Sequence, residues 1–164
     1  MALADFIPPE GQRRIADAIT DAERHTTGEI CVHVTPRCRY NVMKRAVKTF
    51  NRLHLYTTKR RNAVLIFLAY EDRKLAILGD TAIHDAVPEG FWDGEVEELT
   101  RYLKAGRPVD GLCAIIARMG ERLSQYFPGD RDDENELSNE VSYDDLDDAD
   151  ETEDAHDEDY GNME

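Results

Sequence analysis

The sequence has few cysteines, and their spacing does not organise a fold. It contains three cysteines and five histidines in 164 residues. Cys31, Cys38 and Cys113 are odd in number and form no C-x-x-C pair, which argues against a disulfide framework and against a zinc finger. This usage is typical of a reducing compartment, and we expect the protein to reside in the cytoplasm.

Long apolar runs are also missing. The longest, Ala63 to Tyr70, has eight residues, whereas a membrane-spanning helix needs about 20. The N-terminal residues do not form a signal-peptide pattern. We therefore expect no membrane partner.

Acidic residues are absent between Ile30 and Tyr70, a stretch with nine basic residues. Eight of these are here called the basic surface: Arg37, Arg39, Lys44, Arg45, Lys48, Arg52, Lys59 and Arg60. Clustered cations attract polyanions, but nucleic-acid binding is not expected to be the main function, because no recognition motif accompanies them. A solvated helix face with its adjoining loop explains the same charges.

The acidic residues are concentrated at the C-terminus instead. Residues 129–164 carry a net charge of −17, whereas residues 1–128 carry +2. Charge repulsion and the scarcity of apolar residues predict an acidic, largely disordered tail over 129–164. Within it, residues 129–143 are a candidate docked segment, and residues from Asp144 onward are expected to be mobile. We also expect the tail to lie across the basic surface and screen it from anions.

Residues 1–128 are long enough for one domain with a stable core. Three strands are predicted in "EICVHVT", "AVLIFLAY" and "LAIL", and the short link between the last two predicts a β-hairpin. A helix between the first two strands predicts a right-handed crossover, so these strands should run parallel.

Helical spacing predicts further elements around these strands. Helices are expected to begin near Pro9 and to cover 42–55, 91–106 and 109–127, with a short helix in "TAIHDAV". The predicted fold class is α/β, a three-layer α/β/α sandwich. Its small mixed sheet of about four strands contains the central hairpin, and helices cover both faces.

Several separated stretches resemble the TPM-domain family, which is named after a thylakoid lumen protein, a photosystem II-associated protein and a receptor modulator. These stretches are "TTGEICVHV", "RNAVLIFLAYEDRKLAILGDTAIHDAV", the following "FWD" and "DDENELSNEV", between about Glu10 and Val141. The resemblance implies an α/β/α sandwich in residues 1–128. It leaves the activity open, because some members are described as phosphatases or calcium binders and others as regulators or assembly factors.

The predicted topology gathers polar residues at one end of the sheet. The starts of two parallel strands and the end of the returning strand share one edge. That edge is here called the carboxylate rim and contains Glu29, Arg61, Asn62 and Asp80.

Two interpretations of this rim remain open. Glu29, Asn62 and Asp80 offer the hard oxygen ligands that calcium prefers, which makes calcium the candidate cofactor. Alternatively, Glu29, Arg61 and Asp80 form an ion-pair cluster, because a guanidinium can occupy the space between two carboxylates. Longer family members often have Asp-Asn-Gly before the central strand, where this chain has Arg61-Asn62-Ala63. We therefore hypothesise that Arg61 stands where other members would hold a metal.

Catalytic residues remain unknown at this point, since the sequence has neither a P-loop nor a Cys-x5-Arg signature. The expected function is that of a non-catalytic regulatory or partner-binding module with another protein as its partner. A metal-dependent phosphatase is the alternative, and a polyanion binder gated by the acidic tail is the third interpretation.

Overall fold

The computed structural model describes residues 2–129 and 135–145. Within these residues a four-stranded sheet has the order β3-β2-β1-β4. The strands are β1 (Glu29–Thr35), β2 (Ala63–Ala69), β3 (Lys74–Gly79) and β4 (Ser142–Tyr143).

Strand directions agree with the prediction for the first three strands. β1 runs parallel to β2, with Glu29 opposite Ala63. β3 returns antiparallel to β2, with Gly79 opposite Val64. The starts of β1 and β2 and the end of β3 therefore lie at the same end of the sheet, as the right-handed crossover predicts.

The described residues contain six α-helices: α1 (Leu3–Phe6), α2 (Pro9–Ala22), α3 (Val42–Arg52), α4 (Thr81–Ala86), α5 (Asp93–Lys104) and α6 (Pro108–Tyr126). Local chemistry explains several ends, since Pro9 and Pro108 occupy first-turn positions and the Asn41 side chain accepts the Lys44 N–H. The short helix α1 was not predicted. Helix α3 ends three residues before the predicted 55, because His54 adopts the left-handed conformation with φ of 56°.

The side chains of β1 alternate between two cores. Ile30, Val32 and Val34 face a cluster shared with α2, α5 and α6, whereas Cys31 lies in a cluster with Phe50 of α3. Helices thus cover both faces of the sheet, and the predicted three-layer α/β/α sandwich is confirmed.

The fourth strand comes from the acidic tail. Residues 135–145, here called the strap, run beside β1, and β4 pairs with β1 in parallel with Ser142 opposite His33. The predicted docked segment ended at residue 143, but Asp144 is also held, because its carboxylate contacts the buried side chains of His33 and Thr35 and lies near the buried guanidinium of Arg45. Residues 130–134 and the remainder of the tail from residue 146 lie outside the described residues.

Among the described helices, none combines the length and the apolar character that crossing a bilayer requires.

Candidate functional site

The carboxylate rim is assembled by the sheet register. The N–H of Glu29 donates to the carbonyl of Asn62 at 3.3 Å, and the N–H of Asp80 donates to the carbonyl of Ala63 at 2.9 Å. The first strand, the central strand and the end of the hairpin therefore meet at this edge. Glu29 and Asp80 are both buried there, with exposed fractions of 2% and 0%.

Arg61 forms a fork with Asp80. Its Nε lies 2.8 Å from Oδ2 of Asp80, and its Nη2 lies 2.9 Å from Oδ1. The same carboxylate caps α4, because Oδ1 accepts the N–H of Thr81 at 2.7 Å. Asp80 therefore has both a cationic and a backbone partner, as a buried carboxylate requires.

Position 61 has an unusual backbone conformation. Arg61 has φ of 52°, in the left-handed region that Asn, Asp and Gly adopt most readily. An arginine there is unfavourable for the backbone, which indicates that its side-chain contacts compensate for the strain.

Glu29 receives donors that the sequence analysis missed. Its Oε1 accepts the backbone N–H groups of Glu136 at 2.9 Å and of Leu137 at 2.7 Å, both from the strap. The strap therefore crosses the rim, and its N–H groups stabilise the buried carboxylate of Glu29 by hydrogen bonding. The signal in the sequence was weak, because a backbone donor 107 residues away leaves no side-chain pattern.

Asn62 makes hydrogen bonds with both its backbone carbonyl and its side-chain amide. Its carbonyl serves the β1 ladder, while its side-chain Nδ2 donates to Oγ1 of Thr27 at 3.1 Å. Within residues 2–129 and 135–145, no three side chains of His, Cys, Asp or Glu are grouped in a way that could hold a metal ion.

The basic surface is not one continuous exposed surface. Arg39, Lys44 and Lys59 are exposed, and Arg37, Lys48, Arg52 and Arg60 are half-buried. Arg45 was predicted to be exposed to water on the outer face of α3, and this is wrong, because its exposed fraction is 0%. Its guanidinium donates to the carbonyl of Arg37 at 3.1 Å and lies 5.9 Å from the centre of the Phe67 ring.

Arg45 contributes to a second polar cluster at the opposite end of β1, here called the acid pocket. It consists of His33, Thr35, Arg45 and Arg52, and Asp144 of the strap occupies it. One Asp144 oxygen lies 2.6 Å from Nε2 of His33 and 2.5 Å from Nη2 of Arg52. The other accepts the hydroxyl of Thr35 at 2.9 Å, and Nη2 of Arg45 lies 3.8 Å from it.

The thiols are poor candidates for a nucleophile. Burial, followed by the charges of Glu23 and Glu29, raises the pKa of Cys31 to about 12, so its thiolate is scarce at neutral pH. Cys38 is fully buried and donates to the carbonyl of Tyr40 at 3.4 Å. Burial also raises the pKa of Cys113.

A groove of about 760 Å³ lies along β3, which is an edge strand of the sheet formed by residues 2–129 and 135–145. Its walls include Leu75 and Ile77 of β3 together with Phe91 and Trp92, which precede α5. A partly apolar groove beside an edge strand offers both side-chain contacts and main-chain hydrogen bonds to another polypeptide.

The comparisons with known proteins agree with this architecture. The profile of the TPM domain matches residues 1–122. The chain is similar to the BA42 protein of the psychrophilic bacterium Bizionia argentinensis, whose structure was determined by NMR. The two are 38% identical, the match covers 87% of this chain and 99% of BA42, and the TM-score is 0.81. No curated protein sequence matches the chain.

The profile match extends over residues 1–122, which include the three strands on which the rim is built. The chain therefore belongs to the TPM-domain family.

Proposed function

We propose that the protein is a non-catalytic TPM module that acts by binding another protein. The observation that carries this proposal is the state of the carboxylate rim. The two buried rim carboxylates have donors from within the chain, namely Arg61 on Asp80 and the strap backbone on Glu29. These contacts occupy part of the acceptor capacity of the carboxylate oxygens that a catalytic metal would need.

The position of Arg61 supports the same conclusion electrostatically. A fixed guanidinium beside Asp80 repels a divalent cation and fills the space in front of both carboxylate oxygens. Metal-dependent phosphoryl transfer at this rim would require Arg61 to leave a charge-assisted pair with a buried partner. The groove along β3 is a surface suited to a polypeptide, which is consistent with a binding role.

Turnover of an aryl phosphate tests this proposal. We expect the wild-type protein, supplied with calcium or magnesium, to hydrolyse p-nitrophenyl phosphate no faster than the Glu29→Gln and Asp80→Asn variants. Both variants retain the shape of the side chain and remove its charge. Circular dichroism verifies that each variant is folded. A metal-dependent rate in the wild type that disappears in both variants would establish the phosphatase alternative instead.

A divalent-cation site is the second candidate, because two buried carboxylates and the Asn62 carbonyl lie at the same edge. If Arg61 replaces the cation, then Arg61→Asp should create a calcium site. The left-handed backbone at position 61 accommodates aspartate, and the change converts a positive charge into a third carboxylate. We expect calcium to bind this variant at least about tenfold more tightly than the wild type.

Isothermal calorimetry and a calcium-dependent melting temperature measure this gain. The matched control is Arg60→Asp, which makes the same charge change at the preceding residue. Equal calcium affinity in the two variants would show that the added charge acts only at long range. Tight calcium binding by the wild type would contradict the role given to Arg61.

A further inference from the structure

The strap connects the two ends of β1. At the rim its backbone N–H groups cap Glu29, and at the far end its Asp144 fills the acid pocket. Between these points Leu137 packs on the α3 side of the sheet, and Val141 packs on the opposite side. The strap therefore occupies a channel formed by the edge of β1 and the side chains at its two ends, here called the β1 channel.

The acid pocket belongs to the body and not to the strap. His33 and Thr35 come from β1, and Arg45 and Arg52 come from α3. His33, Thr35 and Arg45 are each no more than 1% exposed. A nearby anion stabilises a buried guanidinium, so the pocket favours an acidic group whichever segment supplies it.

The β1 edge supplies the second element of recognition. The N–H of Asp144 donates to the carbonyl of Val34 at 3.2 Å, and Ser142 places its hydroxyl 2.8 Å from Nδ1 of His33. Main-chain pairing with an edge strand gives affinity for any extended peptide, while a pocket for one side chain gives selectivity. Here the selected side chain is a carboxylate.

The backbone ladder that pairs the strap with β1 is short. β4 has two residues, and Tyr143 remains 39% exposed. Glu136, Ser138 and Glu140 also face solvent. Such a short ladder is marginal in isolation, so the high effective concentration of a tethered segment contributes much of its occupancy.

We propose that the β1 channel is the binding site for an extended acidic segment of a partner protein, and that the strap occupies this site as an intramolecular competitor. This proposal rests on the proposed function and names the chemistry of the partner. The segment carries backbone N–H groups for Glu29, apolar residues at the positions of Leu137 and Val141, and an acidic residue at the position of Asp144. The strap must leave before the partner binds.

A peptide-binding experiment on the full-length chain tests this exchange. The probe is a fluorescein-labelled peptide with the sequence of residues 135–145, NELSNEVSYDD. The test variant is Asp144→Asn, which weakens the strap's own hold on the acid pocket. The matched control is Asp145→Asn, which makes the same charge change at an exposed neighbour.

We expect the Asp144→Asn protein to bind the labelled peptide at least about tenfold more tightly than the wild type or Asp145→Asn, as measured by fluorescence anisotropy. Adding Arg52→Ala to Asp144→Asn should remove this gain, and raising the salt concentration should weaken it. Equal peptide affinities in Asp144→Asn and Asp145→Asn would overturn the proposal. A gain of heparin binding without a gain of peptide binding would also overturn it, because the pocket would then accept polyanions.

Hydrogen exchange of the wild-type protein provides a test that needs no variant. If the strap opens while the body stays folded, the Asp144 amide should exchange at least about 100-fold faster than the Leu65 amide in the central strand. Equal exchange rates would show that the strap leaves only on global unfolding, which would overturn the proposal. The proposed function can fail separately, since it is decided by aryl-phosphate turnover and not by peptide binding.

Discussion

Replacing Asp80 by alanine is expected to lower the free energy of unfolding by about 3 kcal/mol. About 1 kcal/mol of this comes from the lost cap of α4. About 2 kcal/mol comes from the lost charge-assisted hydrogen bonds with Arg61, which are strong because Asp80 is fully buried. Arg61 can turn toward water after the change, since its side chain is 40% exposed, so no buried cation is left behind. Denaturant unfolding followed by circular dichroism measures the difference.

Asp85 provides the matched control for this variant. It lies on the same short helix but is exposed, so Asp85→Ala should change the stability by no more than about 0.5 kcal/mol. A double-mutant cycle with Arg61→Ala isolates the pair, and we expect a coupling energy of at least about 1 kcal/mol. Additive effects of the two substitutions would mean that the fork contributes little and that Asp80 acts mainly as a cap.

The position of the carboxylate rim could be predicted because it depends on strand direction alone. A strand, a helix and a strand predict parallel strands, and a four-residue link predicts a hairpin. These two rules place Glu29, Asn62 and Asp80 at one edge, which is where the structure has them. The hydrophobic pattern was sufficient to locate these strands and the helix between the first two, because each is long or strongly apolar.

The partners of the rim residues could not be predicted in the same way. In composition the tail is a charged segment, and repulsion within such a segment is a good reason to expect disorder. Repulsion is an average over the segment, however, and it does not show that one residue, Asp144, lies within hydrogen-bond distance of His33 and Arg52. Charge counting does not resolve individual contacts of this kind.

Arg45 illustrates the same difficulty on the body. Helical periodicity placed it among the exposed cations of α3, because arginine is rarely buried unless it has a partner. In the structure its partners are the Arg37 carbonyl, the Phe67 ring and Asp144, which lies 99 residues further along the chain. The rule was sound, but the partner was too distant to appear in a local pattern.

A third polar cluster, centred on Glu95 between α5 and α6, was also not predicted from the sequence. Glu95 is fully buried, and Nη1 of Arg122 lies 2.8 Å and 2.9 Å from its two carboxylate oxygens. The same Nη1 donates to the carbonyl of Phe91 at 2.7 Å, and the guanidinium carbon lies 3.7 Å from the centre of the Phe91 ring. This cluster fixes the residues before α5, which form one wall of the groove along β3.

Arg122→Ala is therefore expected to lower the free energy of unfolding by about 3 kcal/mol, because it leaves the buried Glu95 carboxylate without its main cation. Loss of the stacking on Phe91 adds to this effect. Denaturant unfolding measures the stability, and the fluorescence of the single Trp92, which is T-stacked on Phe91, reports whether the groove wall has moved.

Arg118→Ala is the matched control, since it removes a second arginine from the same helix and the same cluster. Arg118 is 45% exposed, and its Nε lies 3.4 Å from Glu95, so we expect a cost of no more than about 1 kcal/mol. A larger cost for Arg118→Ala than for Arg122→Ala would contradict the assignment of Arg122 as the main partner. A shift of the Trp92 emission in Arg122→Ala that Arg118→Ala does not show would establish that the Arg122 contacts with Glu95 and Phe91 hold the groove wall in place.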